Sequence, residues 1–412
     1  MSIISNETRE FGNKIHEKIQ PYLKSIDEIV DFNTEKVLSA YQKYKVSEVM
    51  LGSTTGYGYD DVGRDTLDKI YADIFGTESA LVRIQFVNGT HSIVSAMFGC
   101  LKMGDTLLSI TGAPYDTLLS TINGDYYGSF KNYGIKYKQI DFVNEFNLEE
   151  IKKAILNDDS IKTVFIQRSK GYAQRITLSI EKIEEICKFV KEIRPEMIIL
   201  VDNCYGEFVE KLEPTNVGAD VVCGSLIKNI GGGIAPTGGY IAGRADLVEN
   251  ASFRLTVAGI GGECGSTLGN NRALYQGLFL APHTVGQALK TAIFTAEAME
   301  NLGYNVNPKP AETRYDIIQT IDFCAKEPLL KFCEGIQAGS PIDSHVTPVP
   351  WDMPGYDDAV VMAAGAFIQG SSIELSADAP MRDPYTCFVQ GGLTYESGKL
   401  GILIAVEKIK GK

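Results

Sequence analysis

Two residues in this chain are of the type, and in the setting, to do covalent chemistry on a carbonyl compound. Asp202 closes the apolar run 198–201 (IILV); Lys228 stands 26 positions further on, after a second apolar run, 221–223 (VVC), and then Gly224 and Ser225. A lysine amine condenses with an aldehyde, and a carboxylate set against a ring nitrogen keeps that nitrogen protonated. Pyridoxal 5'-phosphate needs both, the amine to hold it as a Schiff base and the acid to keep its ring an electron sink. Each residue alone has a plainer reading, the aspartate as a turn or helix cap and the lysine as a solvated charge. Their spacing and the flanking Ser225 favour the pair.

The elements that must position this pair follow from pattern. Short continuous apolar runs bounded by turn-formers read as strands buried on both faces of a parallel sheet. In an open sheet of that kind ligands bind beyond the carboxyl ends of the strands, so the acid and the lysine leave adjacent strands at one edge. Further strands are expected at 80–87, 106–110 and 163–166. Asn88-Gly89-Thr90 turns the first of these into an apolar helix ending near Leu101. A strand, a tight glycine turn and a helix start form a phosphate site, because backbone N–H groups and the helix dipole converge there; alternatively the glycine only permits the turn. Tyr115 lies in the loop behind strand 106–110, where a phenol ring can lie flat on a planar ligand. Ser179 caps a helix carrying Ile180, Ile183, Ile186, Cys187, Val190 and Ile193, stopped by Pro195, which completes a βαβ unit leading into Asp202.

Around this frame, residues 1–50 read as a polar helical arm with Ile15, Ile19, Tyr22 and Leu23 on one face. An unusual loop, GSTTGYGYDDVGRD (52–65), precedes a helix whose Leu67, Ile70, Tyr71, Ile74 and Phe75 share a face and which Gly76 ends. A second glycine-rich loop, 258–270, suits an active-site or subunit contact. A helix over 286–302 would connect the large domain to the small one. A strand is then expected at 317–323, a helix at 329–336, an antiparallel pair at 360–367 and 373–375, and a closing helix at 400–409. The expected domains are thus an arm (1–50), a large cofactor-binding domain (51–285) and a small C-terminal domain (286–412).

Composition excludes several function classes. A net charge of −13, from 39 basic and 52 acidic residues, argues against a nucleic-acid or anionic-membrane surface. No apolar run approaches the ~18 residues of a membrane span, and the opening MSIISNETREFG lacks a signal's basic start and apolar core, so a cytoplasmic location is expected. The eight cysteines are scattered with no CxxC pair and the four histidines with no HExxH pair, so neither a disulfide framework nor a metal centre is expected.

The stretches YGYDDVGRDTLDKIYADIFGTESALVR, NGTHSI, VDNCYGEF, SLIKNIGGGIAPTGGYIAG, GSTLGNNRALYQGLFLAPH and SADAPMRDPYTCFVQGGLTYE cover most of the chain from about residue 50. In combination they resemble fold-type I pyridoxal-phosphate enzymes of the cystathionine β-lyase and methionine γ-lyase group, in its aluminium-resistance branch. The resemblance implies an α/β fold with a mainly parallel seven-stranded sheet, helices on both faces, and a smaller α+β C-terminal domain. It implies a lyase that cleaves a carbon–sulfur bond in a small sulfur-containing amino acid. The alternatives are a non-catalytic, cofactor-carrying stress-response protein, or an enzyme with another outcome such as transamination or replacement. Lys228 becomes the Schiff-base lysine, Asp202 the partner of the ring nitrogen, Tyr115 the stacking ring, and Gly89, Thr90 and Ser225 the phosphate binders. The resemblance further implies a homo-oligomer, dimer or tetramer, whose active site is shared between subunits, a tyrosine and an arginine of one subunit completing the neighbour's phosphate site; Tyr57, Tyr59 and Arg64 occupy that region, and Tyr57 is the first choice. Two positions depart from the pattern. Ile227 stands where a hydroxyl residue precedes the lysine, and the arginine that grips the substrate carboxylate has no unambiguous counterpart. Arg382 is the first choice because its planar fork suits a carboxylate, against a surface ion pair with Asp378 or Asp383; Arg168 and Arg175 are the rivals.

Overall fold

The computed structural model describes residues 3–353 and 358–411. Helix α1 (Asn6–Lys43) opens the chain and buries Ile15, Ile19 and Leu23 along one stripe. Helix α2 (Val62–Phe75) buries Leu67, Ile70, Tyr71, Ile74 and Phe75, and stops at Gly76, whose φ of 63° is the left-handed geometry that ends a helix. There follow β1 (Ser79–Arg83), α3 (Gly89–Cys100), β2 (Thr106–Ser109), α4 (Asp116–Asn123), β3 (Lys136–Gln139), α5 (Leu148–Asn157) and β4 (Ile161–Gln167). Helix α6 (Ile180–Ile193) starts where Ser179 accepts a hydrogen bond from the backbone N–H of Lys182. Then come β5 (Ile198–Asp202), β6 (Val221–Ser225), β7 (Gly239–Gly243), α7 (Ala245–Leu255) and α8 (Asn271–Asn301). The remainder is β8 (Asn305–Asn307), β9 (Gln319–Asp322), α9 (Lys326–Ala338), β10 (Val360–Ala364), β11 (Ser376–Pro380), β12 (Thr386–Gln390) and α10 (Tyr395–Ile409).

The chain divides into two compact units, Glu35–Leu226 with Ala235–Phe279, and Met1–Thr34 with Ile227–Ile234 and Leu280–Lys412. In the first, seven strands among the described residues form one sheet in the order β1-β7-β6-β5-β4-β2-β3. The pairs β6–β5, β5–β4, β4–β2 and β2–β3 are parallel, while β7 runs antiparallel to both of its neighbours. Alternate residues serve opposite faces, as strand geometry requires. Leu200, Val221, Cys223 and Ile241 join Ile93, Met97 and Val248 in one core under α3 and α7. Tyr240, on the other face, stacks on Phe75 of α2 at 5.1 Å. Helices therefore cover both faces, the arrangement a mainly parallel sheet needs.

The second unit holds a five-stranded antiparallel sheet, β10-β11-β12-β9-β8. Helices α9 and α10 meet so closely that a Cβ at Gly335 would lie 2.3 Å from the Cα of Ala405, and one at Gly339 2.7 Å from the Cα of Gly401. Within the same unit α1 and α8 are tied by Lys290 to Asp27 at 2.5 Å and by Lys18 to Glu297 at 2.5 Å.

Three expected boundaries are corrected. The strand placed at 80–87 ends at Arg83, because its partner β7 begins opposite it at Gly239 and leaves no ladder beyond. The helix placed at 286–302 starts at Asn271, its buried stripe of Leu274, Leu278, Ala281, Val285 and Leu289 running straight past Pro282. The partner of β10 is residues 376–380, not 373–375; the register is Val360 opposite Pro380 and Ala364 opposite Ser376. Among the described residues, no helix is long and apolar enough to cross a membrane.

The α9–α10 contact yields a test in which two effects oppose. Helix propensity favours Gly335→Ala by about 1 kcal/mol, but the added methyl would meet backbone at 2.3 Å, and overpacking costs about 1–3 kcal/mol. The variant is expected to unfold at lower urea concentration than the parent.

Candidate active site

The site is built at the carboxyl edge of the large unit's sheet. Parallel pairing sets Asp202 opposite Cys223 on one side and opposite Gln167 on the other. Asp202 is only 4% exposed. Its Oδ1 accepts the backbone N–H of Cys204 at 3.1 Å, and the backbone N–H of Asn203 reaches the carbonyl of Cys223 at 3.0 Å. Oε1 of Gln167 accepts the backbone N–H of Tyr115 at 3.1 Å, which fixes the start of α4 beside the same strand end. The half-buried Tyr115 donates its hydroxyl hydrogen to Oγ1 of Thr90 at 2.9 Å. Burial, and then the nearby Asp202 carboxylate, push the phenol's pKa well above 10, so Tyr115 stays a neutral donor.

Thr90 sits in the first turn of α3, which begins where Asn88 accepts the backbone N–H of His91. The first N–H groups of a helix have no acceptor within it and the dipole is positive there. Gly89 brings this turn against β6: a Cβ there would lie 3.0 Å from Cβ and 3.6 Å from Oγ of Ser225. Ser225 is 1% exposed and its hydroxyl has no hydrogen-bond partner, although a buried hydroxyl ordinarily finds one. Neighbouring Ser92 is by contrast engaged, its one hydroxyl hydrogen shared between the carbonyls of Gly89 and Gly224, each 2.8 Å from Oγ. An unsatisfied hydroxyl beside a helix N-terminus with a threonine in its first turn is a donor set that fits a phosphate group.

In the second unit, Lys228 is half-buried and donates from Nζ to Oγ of Ser372 at 2.9 Å. Ile227, in the position of the missing hydroxyl, lies 3.6 Å from where a Cβ on Gly370 would be, so it packs on the turn before Ser372. Arg382 is 52% exposed and paired with Asp358 at 3.1 Å, an aspartate other than the two expected.

The rival arginines belong to the large unit and hold loops. Arg168, fully buried, bonds the side chain of Asn203, the carbonyl of Gly206 and the carboxylate of Glu210. Arg175 donates to the carbonyls of Gln167 at 2.8 Å and Ser169 at 2.5 Å. Arg64 likewise donates to the carbonyls of Gly58 and Gly265, joining the two glycine-rich loops. Tyr57 is 66% exposed and stacks on Tyr59 at 5.4 Å, 8° from parallel. No cluster of metal-binding side chains occurs among the described residues.

A mainly parallel sheet flanked by helices, with an anion cradle at its carboxyl edge and a separate antiparallel unit, is the fold of the pyridoxal-phosphate enzymes of fold type I. A pyridoxal-5'-phosphate-dependent protein, YhfS from Escherichia coli, superposes with a TM-score of 0.63 over 94% of this chain and 97% of its own, at 16% identity. The chain belongs to the methionine gamma-lyase family, whose model matches residues 8–410. It is 54% identical to a carbon-sulfur lyase involved in aluminum resistance from Clostridium novyi NT, with a TM-score of 0.94 over 98% of this chain and 96% of that one. It is also 52% identical over 392 residues to the uncharacterized protein YnbB of Bacillus subtilis (strain 168), covering 94% of this chain and 93% of that protein.

Sequence reading missed two residues. Ser372 escaped notice because its partner Lys228 is 144 positions away. The other is Glu207, in VDNCYGEF. It is fully buried, and its Oε1 accepts the hydroxyl of Tyr240 at 2.9 Å. Burial first, with the Glu213 and Asp202 carboxylates adding to it, raises its carboxyl pKa to about 8. The unfolded chain loses this proton near 4.5 and the folded one near 8. The stability that protonated Glu207 contributes is therefore complete below the lower value and lost as pH rises through the upper. Glu207→Gln is expected to match the parent at pH 4.5 and to exceed it at pH 8.5 by on the order of 2–4 kcal/mol, read as a flatter dependence of the urea midpoint on pH.

Proposed function

We propose that this chain is a pyridoxal-phosphate-dependent carbon–sulfur lyase acting on a sulfur-containing amino acid of the cystathionine or methionine type. The observation that carries the reading is the buried, unpartnered hydroxyl of Ser225 next to Gly89 at the start of α3. Phosphate oxygens would satisfy that hydroxyl together with Thr90 and the first N–H groups of the helix. Tyr115 offers the aromatic face, and its hydroxyl, fixed on Thr90, limits how the ring can turn. Asp202 supplies the buried negative charge for the ring nitrogen, and Lys228 the amine that anchors the cofactor.

When bound, the cofactor supplies an electron sink for charge developing at the substrate's Cα. The protein's part is proton handling and orientation. Nζ of Lys228, held by Oγ of Ser372, would take the proton from Cα as a general base. The neutral Tyr115 phenol can donate a hydrogen bond but adds no charge. Departure of the thiolate from Cβ or Cγ leaves a product that hydrolyses to ammonia and a keto acid.

A second reading has one observation in its favour: Arg168 and Arg175 are spent on loops and Arg382 on Asp358. A protein that retains the cofactor without turnover needs no substrate-carboxylate clamp. The same experiment decides between the two. Purified protein loaded with pyridoxal phosphate is given cystathionine, methionine and cysteine while keto acid and the long-wavelength absorption are followed. The lyase reading expects keto acid from at least one, and Lys228→Ala to abolish both product and the absorption. Absorption without product from any amino acid supports the carrier.

We place the protein in the cytoplasm, a reading supported by its free cysteines, and we take it to act as a homo-oligomer, a dimer or tetramer, with exposed Tyr57 serving a neighbour's phosphate site. Tyr57→Ala is then expected to speed cofactor loss on dialysis and to leave the thermal midpoint of the cofactor-free protein within about 2 °C, because an exposed side chain contributes little to stability.

A further inference from the structure

We propose that Arg168 is a positioning residue for the Asp202 carboxylate, acting through the loop of residues 203–210; the proposal rests on the reading that Asp202 partners the cofactor's ring nitrogen. That loop is strained. Tyr205 and Phe208 have φ of 72° and 61°, left-handed values that side chains with a Cβ avoid. Such a loop keeps one shape only where its surroundings over-determine it.

Arg168 does this from the neighbouring strand end. Its backbone N–H donates to the carbonyl of Asp202 at 3.1 Å. Nη1 donates to Oδ1 of Asn203 at 2.9 Å and to the carbonyl of Gly206 at 2.9 Å, and Nη2 to Oε2 of Glu210 at 2.7 Å. Glu213, also fully buried, closes the ring: it accepts Nδ2 of Asn203 at 2.9 Å and the backbone N–H of Phe208 at 3.0 Å, and lies 3.7 Å from Nη1. Gly206 is required by the brace, since a Cβ there would sit 2.6 Å from Cδ and Nη1 of Arg168. The two residues after Asp202 are thus held on both sides. Asn203 is gripped by Arg168 and Glu213, and Cys204 gives its N–H to the Asp202 carboxylate itself. A guanidinium suits this task because its flat fork reaches three acceptors at once, which an ammonium on the same stem cannot do.

The test reads the ring nitrogen, not turnover. Parent, Arg168→Lys, Asn203→Ala and Asp202→Asn proteins are loaded with ring-15N pyridoxal phosphate, and the 15N shift and the rate of cofactor loss on dialysis are measured. In the parent and both brace variants, circular dichroism checks the fold. The expected result is a protonated nitrogen in the parent, an unprotonated one in Asp202→Asn, and a shift towards the unprotonated position in both brace variants. Cofactor loss in the brace variants is expected to be roughly tenfold to a hundredfold faster, the scale on which removing the outer partner of a ligating group acts. Asn203→Ala keeps the Arg168–Glu210 pair and guards against a failure of Arg168→Lys to fold. A parent-like shift and release rate in a folded brace variant overturns the inference. A parent that binds no cofactor, or an Asp202→Asn protein with an unchanged shift, overturns instead the reading beneath it.

Discussion

The site depends on one constraint, the parallel register of β5 against β6. Because both strands run the same way and are buried on both faces, their last residues open on one edge, and Asp202 and Ser225 come to that edge as a consequence of hydrogen-bond spacing. The apolar residues behind them, Leu200, Val201, Val221 and Val222, are at most 1% exposed, so a slip of one position would exchange the side chains that each packed layer receives. That cost is far larger than any preference of the polar residues. The geometry of the edge is therefore secured by the core behind it.

Elements were legible in the sequence where apolar runs were continuous or helical faces regular. β4, β5, β6, α2 and α6 read directly from their side chains, and Ser179, Gly76 and Asn88 mark ends where the structure has them. What could not be read is equally physical. β7 (GYIAG) hides among glycines that its neighbours require: a Cβ at Gly243 would lie 2.4 Å from the carbonyl oxygen of Asp220, and one at Gly239 2.7 Å from Cβ of Ser92. β3 is an exposed edge strand and carries no apolar run. β11, SADAP, is fully buried yet built from small and polar side chains, Asp378 being satisfied across the sheet by Gln390 at 2.7 Å. Of the candidate residues, Asp202, Lys228 and Gly89 stand in motifs. Arg168, Ser372 and Glu207 act through partners that only the folded chain brings near.

The arginines illustrate why residue type alone is a poor guide to a site. A guanidinium is selected wherever a planar group must reach several oxygens, and inside a protein those oxygens are more often loop carbonyls than ligands. Arg64, Arg168 and Arg175 all donate to main-chain carbonyls of irregular segments, those of Gly58, Gly206 and Ser169 among them. Arg83 adds contacts from Nη1 to both carboxylate oxygens of Asp68 at 2.8 Å and a bond from Nη2 to the carbonyl of Gly262. These side chains carry structural information of the kind hydrophobic cores carry for strands.

The same interior sets the charge next to Asp202. Three carboxylates, Asp202, Glu207 and Glu213, are buried within one short stretch of chain, and the fully buried guanidinium of Arg168 lies 3.7 Å from the last of them. Three ionised acids so placed would cost far more than one guanidinium returns, since each added charge pays both desolvation and repulsion. The structure divides the roles by partner. Glu213 lies beside Arg168 and accepts Nδ2 of Asn203 and the backbone N–H of Phe208, while Glu207 faces the neutral phenol of Tyr240, its carboxyl pKa held near 8. Glu207 therefore keeps its proton at neutral pH. Behind the strand end it is thus a group of carboxylate shape and no charge.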